Sequence, residues 1–157
     1  MSIQIGQARP EDADTVATLV GELLQEIMVA VKDPVFVFHH DDTVARACSW
    51  LKDDLYTVLL AYERSAPVGL LALYQSYALY TEGEYGTIPE FYVRPAYRSK
   101  GVGASLLEQA RRLGHLRGWR RLEVTTPPLP QFDRTLAFYQ REGFSLSGGR
   151  KLKLELP

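Results

Sequence analysis

Along the chain, apolar residues recur at intervals of three and four in some stretches and alternate with polar ones in others. The two periods divide the chain into helices and strands. Ile3 and Ile5 alternate as a short opening strand that runs toward Gln7–Ala8. Pro10 suits a first helical turn, and Glu11, Asp12 and Asp14 complement the positive end of a helix dipole. From there Val16, Leu19, Val20, Leu23, Leu24, Ile27 and Met28 define one buried helical face, which Lys32-Asp33-Pro34 stops. A second amphipathic helix is predicted from about Asp42 to Asp54, carrying Val44, Ala47, Cys48, Trp50 and Leu51.

Tyr56–Glu63 and Val68 to about Tyr80 read as two strands joined through Arg64-Ser65-Ala66-Pro67. Gly86–Val93 is the next strand, reached through a turn at Glu82-Gly83-Glu84. A helix is predicted from Val102, with Leu106, Leu107, Ala110 and Leu113 inward and Gly118 as its stop. Leu122–Thr125 is a short buried strand, and Pro127-Pro128-Leu129-Pro130 keeps the following loop out of helix. The last helix is expected over Asp133–Gly143. Phe144–Leu146 and Lys151–Leu156 close as a hairpin over Gly148-Gly149, with Leu152, Leu154 and Leu156 alternating against Lys151, Lys153 and Glu155. The order β-α-α-β-β-β-α-β-α-β-β predicts an α/β fold: a mixed, mostly antiparallel sheet flanked by helices, in one domain over residues 1–157.

At 157 residues and 46% hydrophobic, the chain has enough apolar material for the core of one globular domain. It has no run of about 20 apolar residues and no basic-then-apolar leader, so neither a membrane span nor a secretory signal is expected. Cys48 is the lone cysteine, which excludes an intramolecular disulfide and fits a reducing, cytoplasmic setting. His39 and His40 are adjacent and offer no metal-ligand spacing, so no metal is expected. The net charge of −1 conceals a polarity: residues 1–95 hold 14 acidic and 6 basic side chains, residues 96–157 hold 5 and 12. A basic C-terminal half suits a phosphate-rich cofactor and an acidic N-terminal half a cationic acceptor, although solvation of helix faces accounts for such charges equally well. With a pI of 6.3 and no basic stripe interleaved with aromatics, nucleic acid is not an expected partner.

Candidate chemistry concentrates where the strand ending at Val93 meets the helix beginning near Val102. Arg98-x-x-Gly101-x-Gly103 lets successive backbone N–H groups converge on an anion, because glycine tolerates positive φ and lets a ligand approach the main chain. The helix start adds unpaired donors and its positive dipole end, and Arg98 and Lys100 bring positive charge to the rim. A di- or polyphosphate is the ligand this favours. No Gly-Lys-Ser/Thr run is present, so the turn is not a Walker A loop. A third glycine is also missing, so it is not the dinucleotide fingerprint. A plain strand-to-helix turn with glycines for clearance is the alternative.

Read with its flanks, Glu90-Phe91-Tyr92-Val93-Arg94-Pro95-Ala96-Tyr97-Arg98-Ser99-Lys100-Gly101-Val102-Gly103 resembles the GCN5-related N-acetyltransferase (GNAT) superfamily. Downstream, Leu136-Ala137-Phe138-Tyr139-Gln140-Arg141-Glu142-Gly143-Phe144 matches that family's Phe-Tyr-x-x-x-Gly-Phe pattern, and the two segments span about residues 90–145. The resemblance implies an acyl-CoA N-acyltransferase-like fold and an enzyme that moves an acetyl group from acetyl-CoA to a primary amine, directly, in a ternary complex. It implies that Arg98, Ser99, Lys100, Gly101, Val102, Gly103 and Ala104 hold the pyrophosphate. Two strands are expected to splay apart after residues such as Tyr92 and Val93, freeing backbone groups for the pantetheine arm.

In the same resemblance Tyr139 stands where many members keep a general acid toward the CoA thiolate, and Glu90 is the candidate base or amine-orienting group. Thr87 and Tyr92 are weaker candidates, and the strand's alternation of faces decides whether Glu90 meets the cleft. Two positions depart from the pattern. Ser99 replaces a frequent glycine, which is tolerable if its φ stays negative, and Thr125-Thr126-Pro127-Pro128 stands where many members place a cofactor-contacting asparagine. Tyr74, Tyr77, Tyr80 and Tyr85, with Glu82 and Glu84, either embrace a cationic acceptor or pack on the sheet or at a homodimer interface. Trp50, Phe36, Phe38, His39 and His40 are further candidates for that side. Cys48 lies too far from the turn to carry the acyl group. An inert or regulatory CoA-binding module and a protein-interaction domain are the alternatives the sequence leaves open.

Overall fold

The apolar run at Val68–Leu73 becomes the centre of the sheet: Val68, Leu70, Leu71 and Leu73 are fully buried. A computed structural model describes residues 2–157. These divide into two compact units, one ending at Thr125 and one running Thr126–Pro157. In the first, β1 (Ile3–Gln7), β2 (Thr57–Glu63), β3 (Ala66–Ala78), β4 (Gly83–Ile88), β5 (Phe91–Val93) and β6 (Leu122–Val124) form one sheet in the order β1-β2-β3-β4-β6, with β5 beside β3. All pairs are antiparallel except β4 with β6.

Strand alternation sends the two faces of this sheet to different helices. Ala8, Val58, Leu60, Leu70, Ala72 and Tyr92 form one cluster with Val16 and Leu19 of α1 (Ala13–Val31) and Leu51 of α2 (His40–Lys52). The other face meets α3 (Val102–Leu116), whose Leu106, Leu107 and Ala110 are fully buried, as the three–four spacing requires. A Cβ on Gly69 would stand 2.9 Å from the Tyr92 carbonyl oxygen and 3.5 Å from Leu106, so only glycine lets β5 and α3 come this close. Lys32 takes a left-handed conformation at the end of α1, with Pro34 just beyond. No helix among the described residues is long and apolar enough to cross a membrane.

The second unit holds α4 (Asp133–Arg141), stopped at Gly143 with φ +102°. Here the structure departs from the expected closing hairpin. Residues 142–157 form no strand, and Leu152, Leu154 and Leu156 are 92%, 85% and 85% exposed. Their alternation is regular, but a two-stranded hairpin with no surface to cover is marginal in water. Smaller shifts follow from local chemistry. The first hairpin turns on Arg64-Ser65 alone, with Arg64 at φ +57°, so β3 already begins at Ala66. The strand expected over Gly86–Val93 is broken at Pro89, which has no N–H to continue the ladder.

Candidate active site

The break at Pro89 opens a fork. Gly86, Thr87 and Ile88 pair in parallel with Leu122, Glu123 and Val124, after which β5 pairs with β3 only. The divergence therefore begins before Tyr92 and Val93, at Pro89–Glu90. Ala72 N–H donates to the Glu90 carbonyl (2.9 Å) and Arg94 N–H to that of Val68 (2.8 Å). Antiparallel hydrogen bonding alternates along a strand, so residues 90, 92 and 94 turn their main-chain groups to β3. Phe91 and Val93 turn theirs to the open side of the fork.

Beyond the fork, Pro95–Tyr97 form one 3-10 turn that leads into the glycine-containing loop. Gly101 is left-handed (φ +83°), with nothing within 4 Å of where a Cβ would stand. As N-cap of α3 it offers no side chain, so the first-turn N–H groups at Val102, Gly103 and Ala104 lack intrahelical acceptors; Ser105 N–H makes the first bond, to the Gly101 carbonyl at 3.0 Å. Ser99 has φ +62°, so the negative φ that would make serine tolerable there is not met, and the residue occupies a conformation better suited to the glycine it replaces. Open space at a left-handed glycine, convergent donors and a helix N-terminus fit the diphosphate of acetyl-CoA.

The cations at this rim are less available than the sequence implies. Arg98 donates from Nε to the Val93 carbonyl (2.8 Å) and from a terminal nitrogen to Glu26 Oε1 (2.6 Å), with its guanidinium 5.5 Å from the Tyr92 ring centre. Lys100 lies 5.9 Å from the Tyr97 ring centre. Arg94 forks onto both Glu22 oxygens, at 3.0 and 2.7 Å. Burial, then the carboxylates of Glu22 and Glu26, push the Tyr92 phenol up to about 12, against the lowering influence of Arg98. A groove of about 700 Å³ along α1 includes Glu22 and Glu26, and both are already paired with these arginines.

Glu90 has no such ion pair among the described residues. It stands at the fork, shares with Tyr92 the face of the sheet that packs on α1 and α2, and accepts from Tyr56 O–H at 3.2 Å. Burial raises its pKa, and the Tyr56 hydrogen bond lowers it by less. Tyr56 is itself raised, by burial first and then by the Glu90 charge. Its ring stacks on Tyr74 (6.0 Å between centres, 17° between planes) and meets Trp50 at 5.0 Å. Leu55 and Tyr56 N–H both reach the Trp50 carbonyl, which folds the end of α2 over the start of β2.

The aromatic cluster expected around Glu82 and Glu84 does not form as one unit. Tyr74 turns to Tyr56, while Tyr80 and Tyr85 receive Arg121, whose guanidinium lies 5.4 and 5.6 Å from their ring centres. Tyr77 accepts from Gln75, and Glu82 faces Arg120 at 3.9 Å. The cation for that cluster is thus one of the chain's own. Ser76 and Thr87 bond to each other through their hydroxyls, 2.6 Å apart. In the second unit Tyr139 is buried on α4, its ring 5.6 Å from that of Phe138 and 5.4 Å from that of Phe144, and burial raises its phenol above the usual value.

Sequence reasoning missed Tyr56, Glu22 and Glu26. Tyr56 lies 34 residues from Glu90, and Glu26 lies 72 from Arg98, so no local spacing signals either pair. Among the described residues, no group of three or more His, Cys, Asp or Glu is placed to hold a metal ion.

Residues 54–146 match a family model described as an acetyltransferase (GNAT) domain. Among solved structures, an integron cassette protein from the mobile metagenome of Cole Harbour Salt Marsh is 28% identical, with 98% of this chain and 91% of that one covered and a TM-score of 0.80. An aminoglycoside acetyltransferase from an uncultured soil metagenomic sample is 24% identical over 100% and 99%, with a TM-score of 0.73. A protein from Clostridium acetobutylicum named a predicted acetyltransferase, solved with acetyl-CoA, is 14% identical over 98% and 96%, with a TM-score of 0.74. No curated protein matches significantly.

Proposed function

The chain belongs to the GNAT acetyltransferase family, and from that premise we propose that it transfers an acetyl group from acetyl-CoA to a primary amine of a small molecule or peptide, directly, in a ternary complex. The observation that carries this reading is the fork at Pro89–Glu90, where a strand edge that turns away from β3 and a partly buried carboxylate meet at one point. Val93 turns its main-chain N–H to the pantetheine arm along that edge. The turn at Arg98, Ser99, Lys100 and Gly101, with the donors of Val102, Gly103 and Ala104, takes the diphosphate.

Acetyl-CoA supplies the thioester; the chain supplies the proton traffic. As the C–N bond forms and the C–S bond breaks, the amine proton passes to the Glu90 carboxylate and the thiolate sulfur takes the phenolic proton of Tyr139. A raised pKa makes Glu90 a stronger base than an exposed glutamate once it is ionised. Backbone N–H groups at the fork stabilise charge growing on the carbonyl oxygen. Cys48 is a free thiol, which suits a reducing, cytoplasmic setting.

Thiol release from acetyl-CoA, followed across a panel of amines, tests the reading. Amine-dependent release is expected, together with an acetyl-CoA-induced rise in melting temperature. Stabilisation by acetyl-CoA with no release for any amine leaves a CoA-binding module. Absence of both leaves a protein-interaction domain.

A further inference from the structure

We infer that the acceptor side of this site is built for a small amine with one positive charge beside an aromatic or apolar body, seated on Trp50 and Tyr74 with its ammonium toward Glu90. The inference rests on the acetyltransferase reading above and narrows its substrate class.

Trp50, Tyr56 and Tyr74 form a continuous aromatic wall, with centre separations of 5.0 and 6.0 Å. Tyr56 is the inner ring and points its hydroxyl at Glu90, whereas Trp50 and Tyr74 are 37% and 36% exposed and present ring surface to solvent. The wall therefore runs from open apolar surface to a carboxylate. Glu90 makes no ion pair among the described residues, while Glu123 and Glu82, farther along the sheet, face Arg121 at 2.6 Å and Arg120 at 3.9 Å. On the face shared with Tyr74, Glu90 is thus the carboxylate left for an incoming cation, and the ring faces add cation–π attraction to the same charge.

A second charge on the acceptor finds no partner farther along this face, because Arg121 already holds Glu123 and the rings of Tyr80 and Tyr85. Tyr85 follows Thr87 on the same face of β4, and Thr87 is the register partner of Tyr74. Arg121 covers Tyr85, so a guanidinium occupies the ground onto which a polycation would extend. Specificity of this kind joins an attractive subsite to neighbouring ground whose partners are already taken. The bound ammonium gives one proton to solvent before attack, and acetylation leaves a neutral amide, which lacks both the Glu90 and the ring attractions, so the product binds more weakly than the substrate.

The test compares 2-phenylethylamine with spermidine and kanamycin in the thiol-release assay, and follows Trp50 fluorescence as 2-phenylethylamine is added, with Trp50→Phe as the blank for Trp119. Phenylethylamine is expected to exceed the polycations in kcat/KM by about tenfold, equivalent to about 1.4 kcal/mol. Tyr74→Ala is expected to raise its KM by a similar factor, leaving that of acetyl-CoA unchanged, and Tyr74→Phe to restore it. Preference for spermidine or kanamycin overturns the subsite and leaves the acetyltransferase intact. Trp50 quenching that Tyr74→Ala abolishes, with no thiol released for any amine, upholds the subsite and overturns the acetyl-transfer reading. No quenching and no phenylethylamine turnover overturns the subsite.

Discussion

Arg98 reaches back across the turn to donate from Nε to the carbonyl oxygen of Val93, at 2.8 Å. The Val93 carbonyl is one of the groups that faces the open side of the fork, so the same guanidinium that brings charge to the phosphate turn also covers part of the edge proposed for the pantetheine arm. Glu26 holds it there at 2.6 Å, with the two side chains 41% and 32% exposed. An ion pair that open to water contributes at most about 1 kcal/mol. Glu26→Gln is expected to free Arg98 and tighten acetyl-CoA binding by no more than about fivefold. Arg98→Ala removes the charge as well and is expected to weaken it. Titration calorimetry of both variants decides the point, and weaker binding by Glu26→Gln would show that the anchored arginine is the binding form.

Ser99 and Gly101 both lie in the left-handed region, at φ +62° and +83°. A side chain there costs roughly 1–2 kcal/mol per residue. Ser99→Gly is therefore expected to raise stability by up to about 1 kcal/mol, or about 2–4 °C in Tm for a chain of this size. Gly101→Ala is expected to lower it. Because nothing lies within 4 Å of the added Cβ, a loss of acetyl-CoA binding in Gly101→Ala beyond the change in Tm reports a clash with the ligand itself. Thermal melts with and without acetyl-CoA separate the two.

The elements legible in the sequence were those whose burial is local and periodic. The faces of α1 and α3 follow the three–four spacing, and β3 follows its apolar run. Pro89 divides the strand expected over Gly86–Val93, and the fork lies about three residues before the place the resemblance implies. What stayed hidden depends on pairs remote in sequence: Tyr56 with Glu90, Arg98 with Glu26, Arg121 with Tyr80 and Tyr85. Charge and aromaticity mark such residues as available for contact, and only the fold determines with whom.

The C-terminal leucines give the plainest stability test. Leu152, Leu154 and Leu156 bury almost nothing, and the Lys153–Glu155 pair is exposed. Removal of residues 151–157 is expected to leave the Tm within about 1 °C, since tolerance of truncation follows burial. A fall of several degrees would mean that these leucines are covered in solution.

Tyr139→Phe is expected to lower kcat by about a hundredfold or more while leaving acetyl-CoA affinity nearly unchanged, because a lost general acid acts on the transition state alone. Burial raises the Tyr139 phenol. It therefore stays protonated above the usual phenol value of about 10, and the alkaline side of the kcat profile should show no loss of the acid below that pH. An unchanged kcat in Tyr139→Phe would remove the acid role.

Glu90 and Tyr56 yield a prediction with opposite signs in two measurements. Burial holds the Glu90 carboxyl above the ordinary glutamate range, and the Tyr56 hydrogen bond opposes this by favouring the ionised form. As a base, Glu90 works only when ionised, so kcat/KM should rise with pH along a limb set above the exposed-glutamate value. Tyr56→Phe removes the lowering influence and should move that limb to higher pH, whereas Glu90→Gln should abolish it and cut the rate by about 10²–10⁴. Stability runs the other way. A carboxyl whose folded pKa is raised favours folding below its unfolded pKa, and that contribution is lost as pH rises through the folded one. Glu90→Gln mimics the neutral acid at every pH, so its Tm relative to the native protein should be higher at pH 8 than at pH 4. An equal Tm difference at both pH values would mean that ionisation of Glu90 costs the fold nothing, and the raised pKa would then no longer support its role as base.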